Sequence, residues 1–93
     1  MQTASEAIEE AKWTNRIKTH GKFENVAIIS QAIKAVYRKQ WFWQKLNSSQ
    51  REALDQMASK IGRTMAGDPN FVEHWEDIAG YAMLAIGGDD AKT

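Results

Sequence analysis

The sequence predicts an all-α protein of four helices, a bundle completed by dimerisation. Three observations carry this. Apolar residues recur at the three- and four-residue spacing of helices through most of the chain. No strand-like alternation with hairpin turns occurs. The breaks between periodic segments are short and hold helix-ending or helix-capping residues: Thr19-His20-Gly21-Lys22, Asn47-Ser48-Ser49 and Gly67-Asp68-Pro69-Asn70. At 93 residues the chain is one domain with a modest core. Its four tryptophans exceed what such a core hides, which sends some of them to a subunit interface.

The first helix is expected from about Glu6 to Lys18, capped by Ser5, with few apolar members (Ile8, Ala11, Trp13, Ile17). Glu6, Glu9 and Glu10 lie in its early turns, where acids complement the helix dipole and face solvent. Residues 1–5 and 88–93 are expected to be flexible ends. Gly21 supplies a positive-φ break. The second helix runs from about Phe23 to Arg38, its core side marked by Phe23, Val26, Ile29, Ser30, Ile33, Val36 and Tyr37. Lys39 to Leu46 is dense in aromatics and too short for a full helix. It is expected to be an irregular or single-turn connection whose rings seal one end of the core or an interface.

Asn47, Ser48 and Ser49 offer a cap for the third helix, and Ser49 with Glu52 fits a capping box. Leu54, Met57, Ala58, Ile61 and Met65 share one side of it, and Glu52, Asp55, Gln56, Ser59, Lys60 and Arg63 share the other. It ends at Gly67, where a C-cap favours positive φ, and at Pro69, the single proline of the chain. Asp68 or Asn70 caps the fourth helix, which fades near Gly87. That helix is apolar nearly all round (Phe71, Val72, Trp75, Ile78, Ala79, Ala82, Met83, Ile86), the mark of burial. Across it runs a stripe of Glu73, Asp77 and Tyr81, with Glu76 close by.

Composition narrows the function. Twelve acids balance twelve bases, so the basic excess of a nucleic-acid-duplex or anionic-membrane binder is missing. With no cysteine, disulfides and thiolate zinc sites are excluded. No apolar run approaches a membrane span and no signal-peptide pattern opens the chain, so the expected compartment is the cytoplasm, with no membrane partner.

Carboxylates on a buried helix demand a partner or a cation. Glu52 and Asp55 form an i, i+3 pair on the third helix, and Glu73 and Asp77 an i, i+4 pair on the fourth. Acids from two facing helices suit magnesium, which takes oxygen ligands and fills its octahedron with water and substrate phosphates. Lys60 and Arg63 suit phosphate oxygens. The same spacing equally describes salt bridges between helices. His20 and His74 lack a third partner for zinc. His20 beside Gly21 either meets a substrate at a helix start or sits in a surface loop. Tyr81 has a hydroxyl to give to a carboxylate or a phosphate. The Trp41-Phe42-Trp43 cluster either stacks a base or packs an interface. Neither a Gly-rich phosphate loop nor a nucleophilic Ser in a recognisable setting is present.

The order of Thr19-His20-Gly21-Lys22-Phe23-Glu24, Gln50-Arg51-Glu52-Ala53-Leu54-Asp55, Lys60-Ile61-Gly62-Arg63, Ala66-Gly67-Asp68-Pro69 and His74-Trp75-Glu76-Asp77-Ile78-Ala79-Gly80-Tyr81-Ala82 resembles the small phage- and prophage-encoded MazG-like proteins. These belong with the all-α nucleoside triphosphate pyrophosphohydrolases. The likeness spans about Lys18 to Ala85. It implies hydrolysis of a nucleoside triphosphate to the monophosphate and pyrophosphate by a homodimer or higher homo-oligomer. It also implies magnesium, or manganese in its place, held by acids of two helices. Carried onto this sequence, Glu52 and Asp77 are the catalytic acids and Glu52, Asp55, Glu73 and Asp77 the metal ligands. Lys60 and Arg63 bind phosphate, and His20, Phe23 and Tyr81 face the substrate. Glu9-Glu10 lacks the third acid of that superfamily's E-E-x-x-E cluster, and Ser59 stands where relatives often carry histidine. A second expectation therefore stands beside the first: a non-catalytic phage or prophage protein that uses the same scaffold to inhibit a host protein.

Overall fold

A computed structural model describes residues 2–87; the tail expected to be flexible over 88–93 lies outside the described residues. The chain forms α1 (Ala4–His20), α2 (Phe23–Arg38), a 3₁₀ turn (Trp41–Lys45), α3 (Ser48–Ala66) and α4 (Val72–Gly87), with no strand among the described residues. The all-α expectation and the order of its elements hold.

The cap of α1 differs from that expected, and α3 uses Asn47 of the three residues offered, with a different capping-box pair. Thr3, not Ser5, starts α1: its Oγ1 accepts the Glu6 amide at 3.1 Å, so Ala4 and Ser5 are already helical. Asn47 starts α3 with its own capping box. Its Oδ1 accepts the Gln50 amide at 2.8 Å, and Gln50 Oε1 accepts the Asn47 amide at 3.0 Å. Asparagine caps as well as serine and stands two residues earlier, so Glu52 is released from the structural role Ser49 would have given it.

α3 is the central helix. α2 packs along one side of it and α4 along the other, while α1 touches it only lightly and buries none of its own residues. At the α2–α3 contact small residues meet: Val26 of α2 lies against Gly62 of α3, both buried, and the buried Ser30 places its Oγ 3.3 Å from Ser59 Oγ. A Cβ on Gly62 would stand 2.8 Å from the Val26 carbonyl oxygen, so the two backbones approach as closely as glycine allows. This arrangement corrects the two-sided picture of α3. Asp55 and Ser59 turn toward α2, Lys60 turns toward α4, and Met65 is exposed, because a helix sandwiched between two neighbours has no single solvent side.

The helices do not close into a bundle within one chain. The radius of gyration is 16.6 Å, against about 12 Å for a compact chain of this length. The molecule measures 57 × 35 × 21 Å, so its thin dimension is about two helix diameters. α4 is accordingly not the buried helix expected. His74 alone is fully buried, while Val72, Trp75, Met83 and Ile86 are exposed, Ile86 to 75%. One neighbour, α3, cannot cover a helix that is apolar on most of its circumference.

At the far end of α2 the 3₁₀ turn matches the expected single-turn connection. Trp43 stacks on Tyr37 with centroids 4.9 Å apart, and Arg51 Nε donates to the Trp43 carbonyl at 3.2 Å. Trp41 and Phe42 lie against each other, centroids 4.0 Å apart, with Lys45 Nζ 4.7 Å above the Trp41 ring. Both of these rings stay exposed.

Candidate functional site

Two turns meet at the opposite end, and their meeting builds the site. The Thr19 carbonyl accepts two hydrogen bonds from the α3–α4 turn region, one from the Asp68 amide at 3.0 Å and one from His74 Nε2 at 2.7 Å. A carbonyl only accepts, so His74 carries its proton on Nε2. The rings of His20, Phe71 and His74 form a cluster with centroids 4.9–5.4 Å apart. Gly21 has the positive φ expected of it, +80°, and a Cβ there would press on Ala66 at 2.7 Å. Gly67 differs from expectation: its φ is −107°. Glycine is needed there because a Cβ would lie 2.3 Å from the Thr19 carbonyl oxygen. Asp68 Oδ1 accepts the Asn70 amide at 2.9 Å and shapes the turn before α4.

Beside this knot lies a groove of about 600 Å³ between the second half of α1 and the start of α2. Trp13, Arg16 and Ile17 form one wall, Phe23 and Val26 the other, and His20, Gly21, Lys22 and Arg63 close its base and ends. Glu24 is the one carboxylate on the lining. Phe23, expected on the core side of its helix, is 80% exposed on the groove wall. It sits in the first turn of α2, before the contact with α3 begins. Burial, reinforced by the charges of Arg16, Arg63 and Lys60 and by His74, holds the His20 imidazole below its usual 6.5, so it is neutral at pH 7.

The acids are distributed differently from the predicted cage. Asp55 accepts from Tyr37 Oη at 2.5 Å and Arg38 Nη2 at 2.7 Å, both from α2. Burial alone would raise its pKa. The two hydrogen bonds and the charges of Arg38 and Lys34 outweigh burial and hold the carboxyl below 3.8. The Tyr37 hydroxyl is pushed well above its ordinary 10 by burial and by its bond to Asp55. Glu52 is exposed and accepts from Gln56 at 2.9 Å. Asp77 pairs with Lys60 at 3.0 Å while its side chain stays 47% exposed. Glu73 is exposed one turn away.

The Lys60–Asp77 contact fixes the antiparallel register of α3 and α4. In that register Glu73 and Asp77 stand beside the Lys60–Thr64 stretch, whereas Asp55 and Glu52 lie about 7.5 and about 12 Å from Lys60 along α3 at 1.5 Å per residue. Asp55 also faces α2 rather than α4. No group of three His, Asp or Glu side chains gathers among the described residues. Within one chain, then, the four acids do not fit an octahedral magnesium cage. Lys60 and Arg63, one turn apart on α3, link the Asp77 pair to the groove that holds His20 and Phe23. Tyr81 lies elsewhere, lining a shallow hollow on α4 with Asp77, Glu76 and Leu84.

His74, Trp13, Arg16 and Lys22 were absent from the predicted set. His74 had a legible signal: His74, Ile78, Tyr81 and Ala85 recur at helical spacing on the less exposed face of α4. The α1 residues had none, since a solvated helix gives no pattern that points to a ligand. No helix of the described residues is long and apolar enough to cross a membrane. No protein-family model, curated protein or solved structure matches the chain.

Proposed function

We propose that the chain is a subunit of a magnesium-dependent nucleoside triphosphate pyrophosphohydrolase that releases a (d)NMP and pyrophosphate and works as a homodimer. The observation that carries this reading is the Lys60–Asp77 pair at 3.0 Å. It brings into contact the two segments, Lys60-Ile61-Gly62-Arg63 and Trp75-Glu76-Asp77-Ile78-Ala79-Gly80-Tyr81, on which the resemblance rests most firmly. Asp77 keeps an open side, and Lys60 and Arg63 are one turn apart, the spacing that lets two cations share one phosphate chain. Because the acids of a single chain do not form the metal site, the reading requires a second copy to bring carboxylates to Glu73 and Asp77. The exposed apolar face of α4 is where such a copy has surface to bury. In this reading the chain's own groups bind and orient: Lys60 and Arg63 hold phosphate oxygens, and His20 lines the groove beside Arg63.

The purified protein, given a panel of NTPs and dNTPs with magnesium or manganese, is expected to yield monophosphate and pyrophosphate. Asp77→Ala is expected to abolish this while leaving the fold intact, and light scattering is expected to report a dimer at micromolar concentration. A folded protein that yields no product across the panel ends the enzyme reading. A specific observation then favours the second one, a non-catalytic partner of a host protein: Asp55 and Asp77 are each already matched by a base, as in a purely structural scaffold.

A further inference from the structure

The groove between α1 and α2 carries an inference of its own. Arg16, Lys22 and Arg63 line it, and none of them has a carboxylate within salt-bridge distance among the described residues. Three unpaired cations facing one carboxylate, Glu24, make a groove with an unmet need for negative charge. Its two walls carry large rings that pack against no other ring among the described residues: Trp13 on α1, 64% exposed, and Phe23 on α2, 80% exposed. Aromatic faces left open beside cations are the elements with which proteins hold a planar heterocycle bearing an anionic group. The volume, about 600 Å³, lies in the range of small-molecule sites.

We infer that this groove binds an organic phosphate with a planar ring, without any metal, and that Trp13 is the residue that selects for the ring. The ring lies against Trp13 and Phe23, and the phosphate is held by Arg16, Lys22 and Arg63. This builds on the substrate side of the reading above, which contains His20, Phe23 and Arg63. It adds Trp13 and Arg16 of α1, which that reading leaves without a role, and it needs neither hydrolysis nor a second copy.

The test is calorimetric titration, with EDTA present, of the full chain with adenosine and uridine monophosphates, and separately with the free nucleosides and inorganic phosphate. The monophosphates are expected to bind more tightly than either half alone. Trp13→Ala is expected to weaken the monophosphates at least tenfold and leave inorganic phosphate unchanged, while Trp13→Phe, which keeps a ring, stays within about threefold. Arg16→Gln, at an exposed position, is expected to weaken monophosphate and phosphate alike and leave nucleosides unchanged. Circular dichroism on each variant shows that the fold is retained. No metal-free binding at millimolar monophosphate, or binding that neither Trp13→Ala nor Arg16→Gln alters, overturns the inference, even if hydrolysis is observed. Metal-free binding that responds to both variants supports it, even where no nucleotide in the panel is hydrolysed.

Discussion

The two ends of the helical layer are held by different forces. At one end the Thr19–Gly21 and Ala66–Asp68 turns touch backbone to backbone, with glycines at the contacts and the buried His74 bonded across them. At the other end side chains do the holding: Tyr37 and Arg38 on Asp55, Trp43 on Tyr37, Arg51 on Trp43. Backbone contacts leave no room to adjust, whereas long side chains at a half-exposed end shift, and water replaces what they lose. The turn knot is therefore the rigid end and the 3₁₀ end the forgiving one. The groove lies beside the rigid end, where its walls keep their positions.

Mutations that break this contrast rank accordingly. Gly67→Ala drives a Cβ into the Thr19 carbonyl and is expected to destabilise by about 3 kcal/mol, the upper part of the overpacking range. His74→Ala removes the fully buried side chain and leaves the Thr19 carbonyl one donor short. A loss of about 2–3 kcal/mol is expected from the cavity and the lost hydrogen bond together. Chemical denaturation of both variants measures these values. At the other end Tyr37→Phe removes one of the two donors to Asp55 while Arg38 remains, and about 1 kcal/mol is expected. A larger loss there than at Gly67 would reverse the contrast. Asp77→Asn, at a half-exposed pair, is expected to alter stability by less than about 1 kcal/mol. Any loss of hydrolysis in that variant is then chemical rather than structural.

The rigid end also carries a pH dependence. The folded state holds His20 below 6.5, so it binds fewer protons there than the unfolded chain does. The stability this represents is present above pH 6.5 and is lost as pH falls below it toward the folded-state value. Asp55 contributes in the same direction but only in stronger acid, below pH 3.8. The urea midpoint is expected to fall between pH 7 and 5.5 in the native chain. In His20→Asn that fall is expected to be shallower.

Much of the fold was legible because helix periodicity and turn residues are local properties. The breaks at Gly21 and Pro69 and the single turn over the aromatics were placed correctly. What periodicity missed was partnership. It assigns α3 one core side, but α3 has neighbours on two sides, so Asp55 and Lys60, which share its polar side in sequence, diverge toward α2 and α4. It also gave Gly67 a positive φ, because sequence shows that glycine is tolerated and not which backbone lies against it. For the site, motif and spacing named Lys60, Arg63, His20 and Phe23, and the fold puts His20, Phe23 and Arg63 on one groove. The acid pairs were placed together because sequence shows their faces but not the register that separates them along α3.

The central claim is that the two turns form one rigid knot beside the groove. Hydrogen exchange at the Asp68 amide, which donates across the knot to Thr19, tests it most directly. The account predicts that this amide exchanges only through global unfolding, as slowly as the amides at the centre of α3. Exchange at the rate of an open surface turn, with α3 still protected, would contradict it.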